Sequence, residues 1–544
     1  MPTWHSRAYQ LTRERGFIAR WVTIIVGLST LIAVVLHISR PSSSQPKVGF
    51  GFPTELNEEL YQVVMQRGVK ELEALKEPAP AHLITWIREC AKRWHGASGK
   101  AGFDAVALRL GTQELHPLIA KHTTSEAQCE AVAAYVRFRF LAEGEARTSA
   151  LQTLEQLAKK PSPPHAGELL GDALLFSHRS EEALQAYLRD VATPGAVHAR
   201  KWAVDLALSQ NSEEVLSRLA ADKLVTSDLS PEAQWKLAKR TGNRALLFNA
   251  LWHMQWVRWL QGAAVPIALF AAAIWYIILV HTGSREPMRW WRYLAAVLGG
   301  IASVALLHWW QGTLSYSSGD PEDAPTMTHE MLQWIMHVGL PEEAAKLLCF
   351  AFFLPVLLHH RSGVKAALSA GCVGLGFALD ENLHYFRDHG PQVAIGRLLT
   401  ANFMHISLTG IVGWHLYELF RSRFNHATEF LIAFCGVVVA HGLYDFGAGA
   451  AANKWGFDIA SFIILAMAAK IYLPMLHDTE GRQPGMAISR TAVFCLGTAL
   501  LVGMLMIVMV WQLQSLQGIT TVLRALATMA LVVLIYIQEW REVH

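Results

Sequence analysis

Charge is scarce in this chain. Only 17% of its 544 residues are Asp, Glu, Lys or Arg, against about a quarter in ordinary soluble domains, and 47 basic side chains nearly cancel 44 acidic ones to leave +3. So small an imbalance makes no field able to gather nucleic acid or acidic substrates, and a nucleic-acid partner is set aside. Cysteine is scarce as well. The six, Cys90, Cys129, Cys349, Cys372, Cys435 and Cys495, form no CxxC pair, which argues against a thiolate zinc site and against a disulfide-dense scaffold. What abounds is apolar surface: 52% of residues are hydrophobic and mean hydropathy is +0.25, a poor match to an all-soluble fold.

The apolar residues are unevenly placed. One run, 21–38, stands alone behind Arg7, Arg13, Arg15 and Arg20 and lacks a small-x-small cleavage site, so it reads as an uncleaved signal anchor with residues 1–20 in the cytoplasm. A mixed stretch over 39–255 follows, helical in its spacing of apolar residues and broken by short Pro, Gly and Ser segments. Leu170-Gly171 with Ala183 and Tyr187 looks like one tetratricopeptide unit, so the stretch is expected to be a helical solenoid or an irregular helical bundle. Within it Cys90 and Cys129 are either a disulfide or two free thiols. Further spans are expected from near Ala264, Tyr293, Pro341, Ala366, Ala401, Phe430, Ile459, Ala492 and Val522. The fold class is therefore all-α, a polytopic bundle of about nine spans preceded by the anchor and an outer helical domain. Residues 264–475 are its core, and 476–544 add a cytoplasmic loop, two spans and a tail. Arginines and lysines at Arg285, Arg289 and Arg292, at Arg361 and Lys365, at Arg421 and Arg423, and at Arg482 and Arg490 fall on alternate loops, whereas Gln311–Glu330 is acidic, which puts 39–255 outside.

Ionisable residues inside spans are costly and mark function by default. Here they gather on four consecutive helices: Glu342, Glu343 and Lys346, then Asp380, Glu381 and His384, then His405, then His441 and Asp445. Because successive spans reverse direction, Glu343, Glu381, His405 and His441 fall at one depth, on the order of 10 Å below the outer surface at ~1.5 Å per residue. Phe377, Glu381 and Tyr385 share a stripe at i, i+4 and i+8, and Asp445 is placed to hold the second ring nitrogen of His441. Glu342 and Lys346 share a face, so Lys346 is expected to pair with Glu342 and leave Glu343 free. Asp380, His384 and Asp388 are expected to face the outer interface. Gly371, Gly374, Gly376, Gly410 and Gly413 would let the helices close on the site. Carboxylates and imidazoles so grouped suit attack of water on an amide, driven by carboxylate alone or by a bound Zn²⁺. Each motif alone has a plainer reading: a solvated helix start for Glu-Glu-x-x-Lys, a packing residue for either histidine. A catalytically silent receptor or scaffold with a protein-binding outer domain is the rival function, and a proton-coupled transporter the third.

The ordered motifs resemble those of the PrsW intramembrane proteases, in the superfamily that includes the CAAX prenyl proteases. Glu342-Glu343-Ala-Ala-Lys346 is similar to the family's EExxK, Phe377 to Tyr385 with Glu381 and Asn382 to its FxxxExxxY, and His441 to Asp445 to its HxxxD. Arg397, His405, Thr409-Gly410 and Gly413 resemble its Arg…His…TG segment. The resemblance covers roughly residues 265–475. It implies a glutamate- or metallo-type peptidase of the bacterial inner membrane that cuts a membrane-tethered protein near the outer face, as relatives cut anti-sigma factors. It further implies Glu342 and Glu343 as the acid/base pair, Glu381, His405 and His441 as metal ligands or oxyanion stabilisers, and Lys346, Phe377, Asn382, Tyr385, Arg397 and Asp445 in support. The outer domain, the anchor and the last two spans lie outside the resemblance.

Overall fold

The computed structural model describes residues 4–39, 72–97, 115–140, 144–159, 162–260, 262, 264–281, 288–313, 326–448, 460–476, 489–513 and 515–540. Much of the early part of the expected helical stretch 39–255, Arg285, Arg482, most of the loop 311–330 and the side chains of Cys90 and Asp388 lie outside them. Among the described residues the regular structure is helical, with no strand. Two compact units result, one of residues 52–254 and one of residues 1–51 with 255–544.

After a short helix, Trp4–Leu11, comes α1 (Arg15–Ile38), a largely apolar helix of 24 residues. Helices of the 52–254 unit include α2 (Pro80–Ala97), α3 (Glu126–Phe140), α4 (Ala166–Phe176), α5 (Ser180–Asp190) and α6 (Val197–Ser209). Successive helices pack on one another around a core that holds Leu154, Leu170, Ala183, Tyr187 and Val204. Gly171 lets α4 close on α5, because a Cβ there would meet the Tyr187 ring at 2.7 Å. Beneath them lies a buried polar node. Asp172 accepts from Arg88 Nε at 2.5 Å, Tyr187 OH at 2.6 Å and Tyr135 OH at 3.2 Å and contacts His198 Nε2 at 2.8 Å, while Arg88 also reaches Glu168 at 2.7 Å. Burial by itself would raise the Asp172 pKa, but the Arg88 charge and the hydrogen bonds from His198 and Tyr187 hold it well below the usual carboxylate range. Cys129 is a half-buried free thiol.

Helix α7 (Arg244–Trp259) runs through the boundary at 254/255, and the second unit continues with α8 (Ala264–Val280) and α9 (Trp290–Thr313). Next come α10 (Leu340–Ala351), α11 (Gly363–His389), α12 (Ala401–Arg421), α13 (Ala427–Ala448) and α14 (Ala460–Met475). The chain closes with α15 (Arg490–Leu513), α16 (Gln517–Thr528) and α17 (Ala530–Trp540). Helices thus stand at all the expected span positions. Among the described residues five helices are long and apolar enough to cross a membrane, α1, α9, α11, α13 and α15, and the pair α16 and α17, bent by 52°, makes a sixth if taken as one span. The helices α8 and α14 are apolar but shorter. By contrast α12 carries Asn402, His405, Thr409 and His415 and is almost wholly buried, and a helix sheathed by protein need not be apolar enough for lipid. The chain is a multi-pass membrane protein.

Where the backbone breaks inside this unit, neighbouring aromatics take up the stranded carbonyls: Trp275 Nε1 donates to Leu398 O at 2.8 Å and Tyr536 OH to Leu399 O at 2.7 Å, just before α12. A π-helical segment, Trp334–Gly339, runs into α10. There Gly339 lies against the backbone of Val438 and Gly442 of α13, and Gly442 in turn against Ile335, each so close that a Cβ would fall 2.5 Å from its neighbour. At Gly374 of α11 an added Cβ would stand 2.2 Å from the carbonyl oxygen of His405. These contacts set α10, α11, α12 and α13 close enough for short polar side chains to meet.

Candidate functional site

The four helices do bring the predicted residues together. Lys346 is fully buried on α10, and its ammonium donates to Glu343 Oε1 at 2.8 Å and to His405 Nδ1 at 3.0 Å while standing 3.9 Å above the centre of the Phe377 ring. Across the ring of His405, Nε2 lies 2.8 Å from Glu381 Oε2, the same oxygen that Arg397 Nη2 reaches at 2.6 Å. Arg397 is stacked 3.7 Å over Tyr385 and its Nε donates to Asn382 Oδ1. On α13, His441 Nδ1 meets Glu343 Oε1 at 2.7 Å and its Nε2 lies 3.2 Å from Asp445 and 3.5 Å from Glu342. The two imidazole rings are 5.1 Å apart, edge to face.

Two sequence-based expectations change. Lys346 sits closer to Glu343 than to Glu342, which is 3.5 Å away. The i, i+3 pair won because Glu343 points into the bundle, where His441 and Thr409, at 3.4 Å, add to its bonds. Glu343 is thereby tied on every side and Glu342 is the looser of the two. Asp380 does not face an interface either. Its side chain is fully buried, and Oδ1 accepts from Gln255 Nε2 at 2.7 Å and Trp259 Nε1 at 2.8 Å on α7.

One residue was missed by sequence reasoning. Asn402 is fully buried and accepts from Asn382 Nδ2 at 2.8 Å, extending the chain of bonds that holds Arg397 and Glu381. Its signal was present as an amide three residues before His405, one turn earlier on the same helix.

Exposure orders the cluster. Glu343, Lys346, His405 and His441 have side chains at most 2% exposed, whereas Glu342, Arg397, Asp445 and Glu381 reach 14%, 14%, 20% and 23%. One edge is therefore open to a reactant and the other is sealed in protein.

Whether an ion fits can be judged from charge and from donor atoms. Four carboxylates, Glu342, Glu343, Glu381 and Asp445, face two side chains that stay cationic, Lys346 and Arg397, and with both imidazoles neutral, as metal ligation requires, a divalent cation would balance the remaining charge. Donor atoms of Glu342, His405 and His441 all lie within 4.8 Å of one another. With Nδ1–H of His441 turned to Glu343, its Nε2 lone pair is available, the arrangement that orients a ligating histidine. His405 has Lys346 on one nitrogen and Glu381 on the other, so an ion at this ring takes the place of one of them. The set fits a borderline metal such as Zn²⁺. Glu381, grouped with the two histidines in the sequence reading, instead lies on Arg397 and His405, and Glu342 joins the imidazoles.

Residues 286–473 match the model of the PrsW family intramembrane metalloproteases. No curated protein and no solved structure gives a match to the chain. The matched stretch holds α9 through most of α14 and every residue of the cluster. Ordered motifs, converging side chains and the family match agree on residues 286–473, the stretch that is similar to the PrsW family intramembrane metalloproteases.

Proposed function

We propose that the protein is an intramembrane endopeptidase of the bacterial inner membrane that hydrolyses a peptide bond of a membrane-tethered protein near the outer face. The observation that carries this reading is the meeting of the accessible carboxylates Glu342 and Glu381 with the buried imidazoles of His405 and His441 in one cluster. Glu342, His405 and His441 would hold the metal, which when bound would acidify a water and polarise the scissile carbonyl. The chain's own groups do the rest. His441 is oriented through Nδ1 by Glu343, and His405 by whichever of Lys346 and Glu381 an ion at its ring does not replace. A carboxylate at the open edge takes the proton as the water oxygen bonds to the carbonyl carbon. Glu381 serves if Glu342 is engaged with an ion, and Glu342 serves if it is not. The same acid then returns that proton to the amide nitrogen as the C–N bond breaks. Arg397, between Glu381 and Tyr385, keeps the Glu381 carboxylate at the edge.

Sequential packing of the helices over 52–254 supports a recognition module for the protein substrate, and the alternation of basic loops supports its placement outside. A test is release of a tag from a panel of single-span reporters co-expressed with the protein. Glu342→Gln, Glu381→Gln, His405→Ala and His441→Ala should each abolish release with normal insertion. Metal measured on purified protein should be lost in all of these except Glu381→Gln. Continued release from the Glu342 and His441 variants would refute the assignment.

The rival is a silent scaffold, favoured by the number of hydrogen bonds that join Lys346, Glu343, His405 and His441 across three helices. It predicts no release of any reporter and loss of thermal stability alone in the same variants.

A further inference from the structure

Away from the cluster, a groove of about 750 Å³ opens between α1, α15, α16 and α17, within the roughly 300–1,000 Å³ that ligand pockets occupy. Its two long walls run parallel. Near their starts Ser489 N donates to Thr12 Oγ1 at 3.1 Å and Ser489 Oγ to Thr12 O at 2.8 Å. Farther along, the Ser29 side chain lies on Gly503 and Thr30 Oγ1 reaches Met506 Sδ at 3.6 Å. Both helices therefore begin at the same membrane face.

The groove is polar at that face and apolar beyond it. Arg15, Thr491 and Gln538 line one end, and Val22, Val26 and Val502 are among the lining residues deeper in. From Arg15 to Val26 the helix rises roughly 16 Å, about half of the ~30 Å hydrocarbon thickness. One leaflet's depth is what an acyl chain fills. Two hydroxyls in the lining point to a ligand with oxygen acceptors: Thr491 and Thr498 are 2% and 7% exposed, and neither Oγ1 has a hydrogen-bond partner among the described residues. Left so, each buried hydroxyl bears an uncompensated desolvation cost. The head end is also basic in sequence, with Arg13, Arg15, Arg20 and Arg490 against Glu14, and the Arg15 guanidinium is exposed at the mouth.

We infer that this groove seats one glycerophospholipid with an anionic head group, drawn from the leaflet at the arginine end. Its phosphate lies against Arg15, its ester oxygens accept from the threonines, and an acyl chain runs along α1 and α15. Lipid would thereby join α1, which lies outside the matched protease segment, to the last helices of the bundle.

The full chain, purified in mild detergent and exchanged with equimolar phosphatidylglycerol and phosphatidylcholine, would be examined by native mass spectrometry. Wild type should keep one phosphatidylglycerol per chain after bulk lipid is stripped, at least tenfold in excess of phosphatidylcholine. Arg15→Gln, an exposed change that leaves the groove intact, should bring that ratio near one. Ala499→Phe, which fills the groove, should remove the retained lipid while its elution and melting temperature stay those of a folded chain. Equal retention of the two lipids by wild type, an unchanged ratio in Arg15→Gln, or a dimer carrying no lipid would each overturn the proposal.

Discussion

Replacing Lys346 by methionine keeps the length of the side chain and its contact with Phe377 but removes the charge. The structure then leaves Glu343, fully buried, without the ammonium 2.8 Å away, and withdraws the donor to His405 Nδ1. Loss of one partner of a buried pair costs about 3–5 kcal/mol. A second route to the figure agrees. The stranded carboxylate can escape by taking up a proton, and protonating an ordinary glutamate at pH 7 costs roughly 3.7 kcal/mol, from its usual value near 4.3 at about 1.36 kcal/mol per pH unit. With roughly 2–4 °C lost per kcal/mol in domains of this size, the melting temperature of the detergent-solubilised protein should fall by roughly 6–20 °C. The deficit should shrink as pH is lowered toward the ordinary carboxylate range, which a packing defect would not do. Adding Glu343→Gln should recover most of the loss, and the double-mutant cycle isolates the pair. A single variant as stable as wild type at pH 7, or a deficit indifferent to pH, would refute the account of Lys346 as the counter-charge that keeps Glu343 ionised in the bundle.

Other outcomes follow from the same geometry. Gly374→Ala must push α11 from the His405 backbone, since its Cβ would fall 2.2 Å from that carbonyl oxygen. We expect a cost of about 1–3 kcal/mol and a fall in reporter release larger than the stability loss explains, read from release and melting of the same preparation. Asp380→Ala strands the donors of Gln255 and Trp259, about 1–3 kcal/mol for each buried group, measurable as faster hydrogen exchange in α7. In the 52–254 unit, Asp172 and Glu168 have pKa values held below the ordinary carboxylate values. For Glu168, burial opposes a hydrogen bond from His165 and the Arg88 charge, which prevail. Their stabilisation is therefore whole above the unfolded carboxylate range near pH 4 and is lost as pH falls through the lower folded values. Hydrogen exchange in α4 should rise on acidification in wild type, and less steeply in Asp172→Asn.

Much of this was legible in the chain. Apolar runs, broken by Pro, Gly and charge, placed helices at all the span positions, because burying a helix in lipid or protein demands such runs. Contacts within one helix were also legible: Asp445 lies on His441 as the i, i+4 spacing requires. The order of Glu-Glu-x-x-Lys, Phe377 to Tyr385, and His441 to Asp445 pointed to the family that the match over 286–473 bears out.

The relative rotation of the helices was not legible, and it decided the rest. The i, i+4 spacing paired Lys346 with Glu342, whereas packing brought it to Glu343. The close approach of Gly339 and Gly442 brings α13 against α10, and there His441 and Thr409 complete the bonds of Glu343. Asp380 looked like a surface acid because its donors, Gln255 and Trp259, stand more than a hundred residues earlier in the chain. Glu342, not Glu381, came within reach of both imidazoles. A sequence fixes the period of a helix and so which residues share its face. Only packing against neighbours sets where that face points, and the chemistry of this cluster depends on that angle.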